Sequence, residues 1–172
     1  MMKQVRMAAL LTGVGAIFMT PTAMADDASG SASITVRQPV SLTNTTDLAF
    51  GTVDAPTDAT TTFTIANNGG TSTSGGNGPF ATGEAAGVVT IAAENGQTIA
   101  LSAAASTCTG ATGVALTTIT GDYNGTAFDS ATANTATFSS AVTTIDVGGS
   151  VTVDVGTTGA ATCAYTVTVN YN

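Results

Sequence analysis

Apolar and polar residues alternate along most of this 172-residue chain with the period of two that is typical of β-strands. The clearest case is the C-terminal stretch 165–171, where Thr and Asn alternate with four apolar or aromatic residues: Tyr165, Val167, Val169 and Tyr171. Residues 151–155 repeat the pattern with valines. Because successive side chains of a strand point to opposite faces, both stretches predict strands with one buried face.

The same alternation predicts further strands, and glycine marks the turns between them. Asn95-Gly96, between the apolar stretches 89–91 and 99–101, predicts a β-hairpin with a type I′ turn. Gly148-Gly149 predicts a turn before the strand that begins at Val151. The remaining strands are predicted over residues 61–66, 114–120, 135–138 and 142–147.

Residues 67–79 interrupt the pattern with a run of Asn, Gly, Ser and Thr. Such a run indicates either a flexible surface loop or a linker between two subdomains. The loop is favoured because neither side alone makes a convincing domain. Many short strands separated by turn residues, with little helical periodicity after residue 25, predict an all-β, antiparallel β-sandwich over residues 38–172.

The N-terminal residues have the pattern of a signal peptide. Lys3 and Arg6 precede an apolar run over residues 7–19, and Ala23-Met24-Ala25 provides a small–x–small cleavage pattern before Asp26. An apolar run this short does not reach the ~20 residues that a spanning helix needs. We therefore expect residues 1–25 to be cleaved and the mature chain to be secreted through the inner membrane without inserting into it.

Removal of the leader makes the chain strongly acidic. Lys3 and Arg6 lie in the leader, so Arg37 is the one cation left to oppose 11 acidic residues, and the net charge becomes −10. A protein that binds a polyanion needs clustered Lys and Arg to neutralise phosphates. The composition therefore excludes nucleic acid and anionic membrane surfaces as expected partners.

The composition also argues against an enzyme. The chain has no His, and after residue 25 it has no Lys, so Ser and Thr lack a general base. Nothing marks a carboxylate pair suited to glycoside hydrolysis. Residues 122–125 weakly resemble a calcium loop but lack the EF-hand spacing, and a tight turn is favoured. We expect no catalytic residue, no metal and no cofactor.

Cys108 and Cys163 are the two cysteines of the chain. In an oxidising compartment an even count predicts a single intradomain disulfide, and a zinc site lacks further ligands. Such a bond closes a loop of about 55 residues, for which chain entropy gives a stabilisation of roughly 4 kcal/mol.

Five stretches, spread in order over most of the mature chain, resemble one bacterial family, "domain of unknown function 4402". They are SITVRQPVSL (33–42), LAFGT (48–52), GVVTIAAENGQTIAL (87–101), VGGSVTV (147–153) and YTVTVNYN (165–172). These family members resemble exported β-sandwich proteins related to fimbrial subunits. The resemblance implies an immunoglobulin-like, pilin-like sandwich.

The resemblance also implies a mechanism, donor-strand exchange, in which the N-terminal arm of one subunit completes the sheet of the next. The arm here is residues 26–37, and Ala32, Ile34 and Val36 form its apolar face. Pro39 cannot donate a ladder hydrogen bond and ends the arm. The implied function is a structural subunit of an extracellular fimbria at the cell surface. Its partners are copies of itself and, during transient passage through the periplasm, a chaperone and an outer-membrane usher.

In the alternative interpretation, residues 31–37 pair within their own sandwich as an ordinary first strand. The protein is then a monomeric secreted or cell-surface adhesion or carbohydrate-binding module. The absence of Trp argues against a sugar-stacking surface. Tyr123, Phe128 and Phe138 are candidate rings in the middle of the chain, and core packing is favoured for them.

Overall fold

The computed structural model describes residues 29–172, so the predicted signal peptide and the first residues of the arm lie outside the described part. Within it the chain forms the following strands: β1 (Ser41–Thr46), β2 (Thr52–Val53), β3 (Thr61–Ile65), β4 (Thr71–Gly75), β5 (Phe80–Thr82), β6 (Gly87–Ala92), β7 (Thr98–Gly110), β8 (Val114–Tyr123), β9 (Thr126–Asp129), β10 (Asn134–Thr137), β11 (Thr144–Val153) and β12 (Ala161–Tyr171). Residues 29–172 contain no helix of a length and hydropathy that could cross a bilayer.

Two antiparallel sheets account for most of these strands. In the larger sheet β11 is central: β8 pairs along one edge, while β6 and then β3 pair along the other. β1, β4 and β9 extend this sheet outward from β6, β3 and β8. The smaller sheet has the order β10-β7-β12, and β2 pairs separately with β5. The predicted all-β antiparallel sandwich is confirmed.

Part of the strand order matches that of an immunoglobulin fold. β1-β6-β11-β8 corresponds to the sheet ABED, and β7-β12 corresponds to strands C and F. Within residues 36–172, no strand lies beyond β12, where strand G completes the smaller sheet of an immunoglobulin domain. This missing neighbour leaves β12 as a sheet edge.

The core is built mainly from aliphatic side chains on the facing sides of the two sheets. A larger cluster includes the buried residues Val89, Ile91, Ile99, Leu101, Ile119, Tyr123, Phe128, Phe138, Ile145, Val147 and Val169. A smaller cluster contains Phe63, Val151 and Val153. Burial of each large apolar side chain contributes about 1.5–3 kcal/mol. The core role predicted for Tyr123, Phe128 and Phe138 is confirmed.

The predicted hairpin over residues 89–101 is wrong in its pairing. Both stretches are strands and Asn95-Gly96 is a turn, but β6 pairs with β1 and β11 whereas β7 pairs with β10 and β12. The turn is therefore a corner between the two sheets. Ile91 and Ile99 are both fully buried and pack into the same core from opposite sheets.

The turn predicted at Gly148-Gly149 is also wrong, because β11 runs through both glycines. A Cβ on Gly148 would lie 2.4 Å from the carbonyl oxygen of Ile65, and one on Gly149 would lie 2.8 Å from that of Thr118. These glycines allow a close approach of neighbouring backbones within the sheet. They lie where the partner of β11 changes from β6 to β3.

The interpretation of residues 67–79 as a loop misses one strand. Residues 71–75 form β4, which pairs with β3 and has every side chain exposed. An edge strand exposed in this way requires no apolar residue, so the alternation that reveals half-buried strands is absent from it. The tight turn predicted at residues 122–125 joins β8 to β9, and its two central residues, Asn124 and Gly125, both have positive φ.

Candidate functional site: the open edge of the C-terminal strand

β12 presents alternate side chains to the core and to solvent. Val169 is buried, and the other residues of its inner face are half-buried: Cys163, Tyr165, Val167 and Tyr171. The Thr, Ala and Asn residues between them are exposed. The structure thus brings all four aromatic and apolar residues predicted for this strand onto one face.

One edge of β12 is paired and the other is open. The paired edge follows β7 from Ala161 opposite Gly110 to Tyr171 opposite Ile99. Along the other edge, within residues 36–172, no strand forms a ladder with β12. Every second residue of such an edge directs its N–H and C=O groups away from the sheet, which is the template for addition of another strand.

A cavity of about 760 Å³ lies beside the first residues of β12. Residues 48–55, which follow β1, form one wall, and residues 157–165 form the other. Apolar side chains line its interior: Leu48, Phe50, Val114, Leu116, Val151 and Val153. We call this cavity, together with the open edge of β12, the edge groove, and we refer to the two ends of β12 as the 161 end and the 171 end.

Tyr165 lies in the wall of the cavity. Its hydroxyl oxygen is buried and forms no hydrogen bond of good geometry among the described residues, although the backbone of Leu48 lies near enough to bond weakly to it. Burial raises the pKa of Tyr165, the backbone of Leu48 opposes the rise, and Asp47 adds to it. Gly87 makes room for this hydroxyl, because a Cβ at that position would lie 3.1 Å from the oxygen.

Tyr171 fixes the chain at the opposite end of the strand. Its hydroxyl donates a hydrogen bond to the carbonyl oxygen of Gln38 at 2.5 Å and accepts one from the amide of Glu94 at 2.8 Å. The guanidinium carbon of Arg37 lies 5.9 Å from the centre of the Tyr171 ring, within the range of a cation–π contact. The polypeptide therefore enters the sandwich at the 171 end.

The residues before this anchor expose apolar side chains. Residues 29–40 belong to no strand, and Ala32 is exposed. Ile34 and Val36 are 88% and 84% exposed, more than any other large hydrophobic residue of the described chain. All three residues predicted for the donor face therefore present apolar surface to solvent.

The disulfide predicted between Cys108 and Cys163 is confirmed. The two cysteines are directly opposite each other in the ladder of β7 and β12. Cys163 lines the cavity, and the register of β12 shifts between Cys163 and Tyr165. This shift indicates a β-bulge at the 161 end, a feature that bends a strand locally.

Two carboxylates of a second cleft, about 690 Å³ in volume, stabilise local turns. Asp122 accepts a hydrogen bond from the amide of Gly125, and Asp129 accepts bonds from the amides of Ala131 and Thr132. Across residues 29–172 there is no group of three or more His, Cys, Asp or Glu side chains placed to hold a metal ion.

Sequence reasoning missed the wall of the groove opposite β12. Leu48 and Phe50 belong to a stretch that predicts no strand by alternation, and Gly87 gives no sign that it faces Tyr165. These contacts join residues that are far apart in the sequence, so only the fold brings them together.

The described sandwich coincides with a known family model. The model described as "Domain of unknown function (DUF4402)" matches residues 40–171. The chain belongs to this family. The matched range of this DUF4402 protein begins after the arm and covers every strand from β1 to β12. No curated protein and no solved structure matches the chain.

Proposed function

We propose that this protein is the structural subunit of an extracellular, fimbria-like filament. In this proposal the arm of one copy, residues 26–37, adds as a strand to the edge groove of the next copy by donor-strand exchange. The observation that carries the proposal is the open edge of β12 beside an apolar cavity, in a chain that also exposes Ile34 and Val36.

Donor and acceptor surfaces are complementary in chemistry. The arm alternates apolar Ala32, Ile34 and Val36 with polar residues, so one face can enter the cavity while the other stays in water. Burial of Ile34 and Val36 contributes about 1.5–3 kcal/mol each. Main-chain hydrogen bonds to β12 add about 1 kcal/mol each before the entropy of ordering the arm is subtracted.

The direction of the arm decides whether the assembly is open or closed. The arm leaves its own sandwich at the 171 end, where Arg37 and Gln38 contact Tyr171. An arm that runs antiparallel to the acceptor's β12 places residue 36 at the acceptor's 161 end, so unlike ends of two copies meet. A parallel arm brings two 171 ends together and gives a closed, symmetric pair.

The position of the cavity favours the antiparallel direction. The cavity lies at the 161 end of β12, and an antiparallel arm brings Ile34 and Val36, its largest apolar side chains, to that end. A parallel arm would place them beside Tyr171, where Arg37 and Gln38 of the acceptor already lie. Contacts between unlike ends repeat without closing, and the product is a filament.

An open strand edge also requires protection before assembly, because it pairs readily with other chains. A periplasmic chaperone that covers the edge groove, and an outer-membrane usher that receives the subunit, fit this requirement. Both are part of the proposal.

A pair of charge substitutions in the arm tests the proposed function. Ile34→Asp places a carboxylate on the face that enters the cavity, and we expect it to abolish filaments seen by electron microscopy. Ser33→Asp adds the same charge on the opposite face of the arm and serves as the matched control, which should still assemble. If both variants assemble, or if the wild-type protein stays monomeric, the interpretation as a self-contained surface module is favoured instead.

A further inference from the structure

The 161 end of the edge groove is bordered by a ribbon of only two strands. β10 pairs with residues 98–101 of β7, at the 171 end. Among the described residues, positions 102–110 of β7 pair with β12 alone. Isolated two-stranded ribbons are marginally stable in water. This part of the smaller sheet therefore depends on other interactions to keep its shape.

Core packing differs sharply between the two ends of the ribbon. At the 171 end Ile99, Leu101 and Val169 are buried in the main hydrophobic cluster. Toward the 161 end no residue is fully buried in positions 102–110 of β7 or 161–168 of β12, and only half-buried side chains reach the same cluster: Ala103, Ala105, Tyr165 and Val167. The Cys108–Cys163 disulfide is the covalent link between the two strands in this weakly packed half.

From this arrangement we propose that the disulfide controls whether the edge groove can accept the arm of a second copy. With the bond closed, β12 is held against β7 and Cys163 stays in the cavity wall, so the open edge is ordered before the arm arrives. With the bond open, the 161 end frays and the wall that meets Ile34 and Val36 is lost. The inference rests on the proposed function and adds to it a dependence on oxidation.

The redox step balances as a thiol–disulfide exchange. Formation of the bond removes two protons and two electrons from Cys108 and Cys163, and a disulfide oxidant accepts them as it becomes a dithiol. A dithiol reductant such as dithiothreitol reverses the exchange through a mixed disulfide. Oxidation in an exported chain would therefore precede assembly, and the reduced chain would remain an incompetent acceptor.

Hydrogen exchange on the unassembled wild-type protein tests the local part of the inference. After reduction with dithiothreitol, we expect the amides of residues 104–110 and 161–167 to exchange about tenfold faster or more, as local opening predicts. Amides of residues 98–101 and of β6 should change by less than about twofold. A uniform increase along the chain, or none at the 161 end, would overturn the inference.

Assembly of a disulfide-free variant tests the functional part. Cys108→Ser combined with Cys163→Ser removes the bond, while Phe138→Ala lowers stability by opening a cavity in the core and does not touch the lining of the edge groove. Both are examined well below their melting temperatures, where circular dichroism shows each to be folded. Reduced wild-type protein provides a second sample that has already folded with its disulfide closed.

We expect filament growth to slow about tenfold or more in the disulfide-free variant and in reduced wild type, because the acceptor is no longer preorganised. Phe138→Ala should grow within about twofold of the oxidised wild type, since a general loss of stability leaves the groove intact. Equal growth with and without the bond overturns this inference alone. Absence of filaments from oxidised wild type overturns the proposed function, and this inference with it.

Discussion

Two tyrosines at opposite ends of β12 differ in how their hydroxyl groups are satisfied. The hydroxyl of Tyr171 bonds to Gln38 and Glu94, whereas that of Tyr165 is buried with no well-formed hydrogen bond, only a weak contact with the backbone of Leu48. A buried polar group without a hydrogen bond costs about 1–3 kcal/mol, and loss of a typical hydrogen bond costs about 0.5–1.5 kcal/mol. The two residues therefore provide a matched comparison.

We expect Tyr165→Phe to leave the free energy of unfolding unchanged or to raise it by about 1 kcal/mol, because the hydroxyl that is removed is buried without a well-formed hydrogen bond. Tyr171→Phe should lower it by about 0.5–1.5 kcal/mol, because it removes the hydrogen bonds with the exposed carbonyl of Gln38 and the half-buried amide of Glu94. Urea denaturation of the two variants measures both changes. Equal losses in the two variants would show that the hydroxyl of Tyr165 has a partner in solution.

The raised pKa of Tyr165 predicts that the free energy of unfolding falls at alkaline pH. Burial raises its pKa in the folded protein, so the folded state keeps this proton to higher pH than the unfolded chain does. The stability due to neutral Tyr165 is fully present below about pH 10 and is lost as the pH rises through the folded-state pKa. Between about pH 9 and 11, wild type should lose more stability than Tyr165→Phe. Parallel urea midpoints over this range would contradict the assignment.

At the scale of single elements, the uninterrupted course of β11 depends on two residues without side chains. A Cβ at position 148 would overlap the carbonyl oxygen of Ile65 at 2.4 Å, so the sheet must shift to accept it. We expect Gly148→Ala to lower the free energy of unfolding by about 1–3 kcal/mol, as overpacking does. Thr144→Ala, at an exposed position of the same strand, is the control and should change it by less than about 0.5 kcal/mol. Thermal unfolding measures both changes, and an unchanged melting temperature for Gly148→Ala would contradict the close approach of the two backbones.

The sequence predicts individual strands better than it predicts their partners. Alternation identifies the buried face of β12, and β3 is found nearly to its bounds. The neighbours of a strand are determined by the whole fold, so β6 and β7 look like a hairpin although they belong to different sheets. β4 is missed because a fully exposed edge strand has no apolar face.

The candidate site is likewise only partly predictable from the sequence. The arm residues Ile34 and Val36, the cysteines and the inner face of β12 are all recognisable in the sequence, since each depends on local pattern or on residue type. The cavity is not, because its walls come from residues 48–55 and 157–165, more than 100 residues apart. That β12 has an open edge follows only from the strand order.

At the scale of the whole molecule, the proposed filament rests on a sandwich with an open strand edge and an arm that adds to the same edge of a neighbour. The chain enters the sandwich at the 171 end, while the cavity lies at the 161 end. In the proposed filament these two positions make the contact between copies directional, which a filament requires and a closed dimer does not. The strongly acidic composition suits a protein that must stay soluble until it assembles.

The most direct test of this central claim is filament length as copies without the arm are added to the wild-type protein. A chain that begins at residue 38 keeps the edge groove but has no arm to donate. Alone it should form no filaments, and mixed with wild type it should accept one arm and end growth, so that electron microscopy shows shorter filaments as its fraction rises. Filaments formed by the truncated chain alone, or a length that does not change with its fraction, would contradict the account.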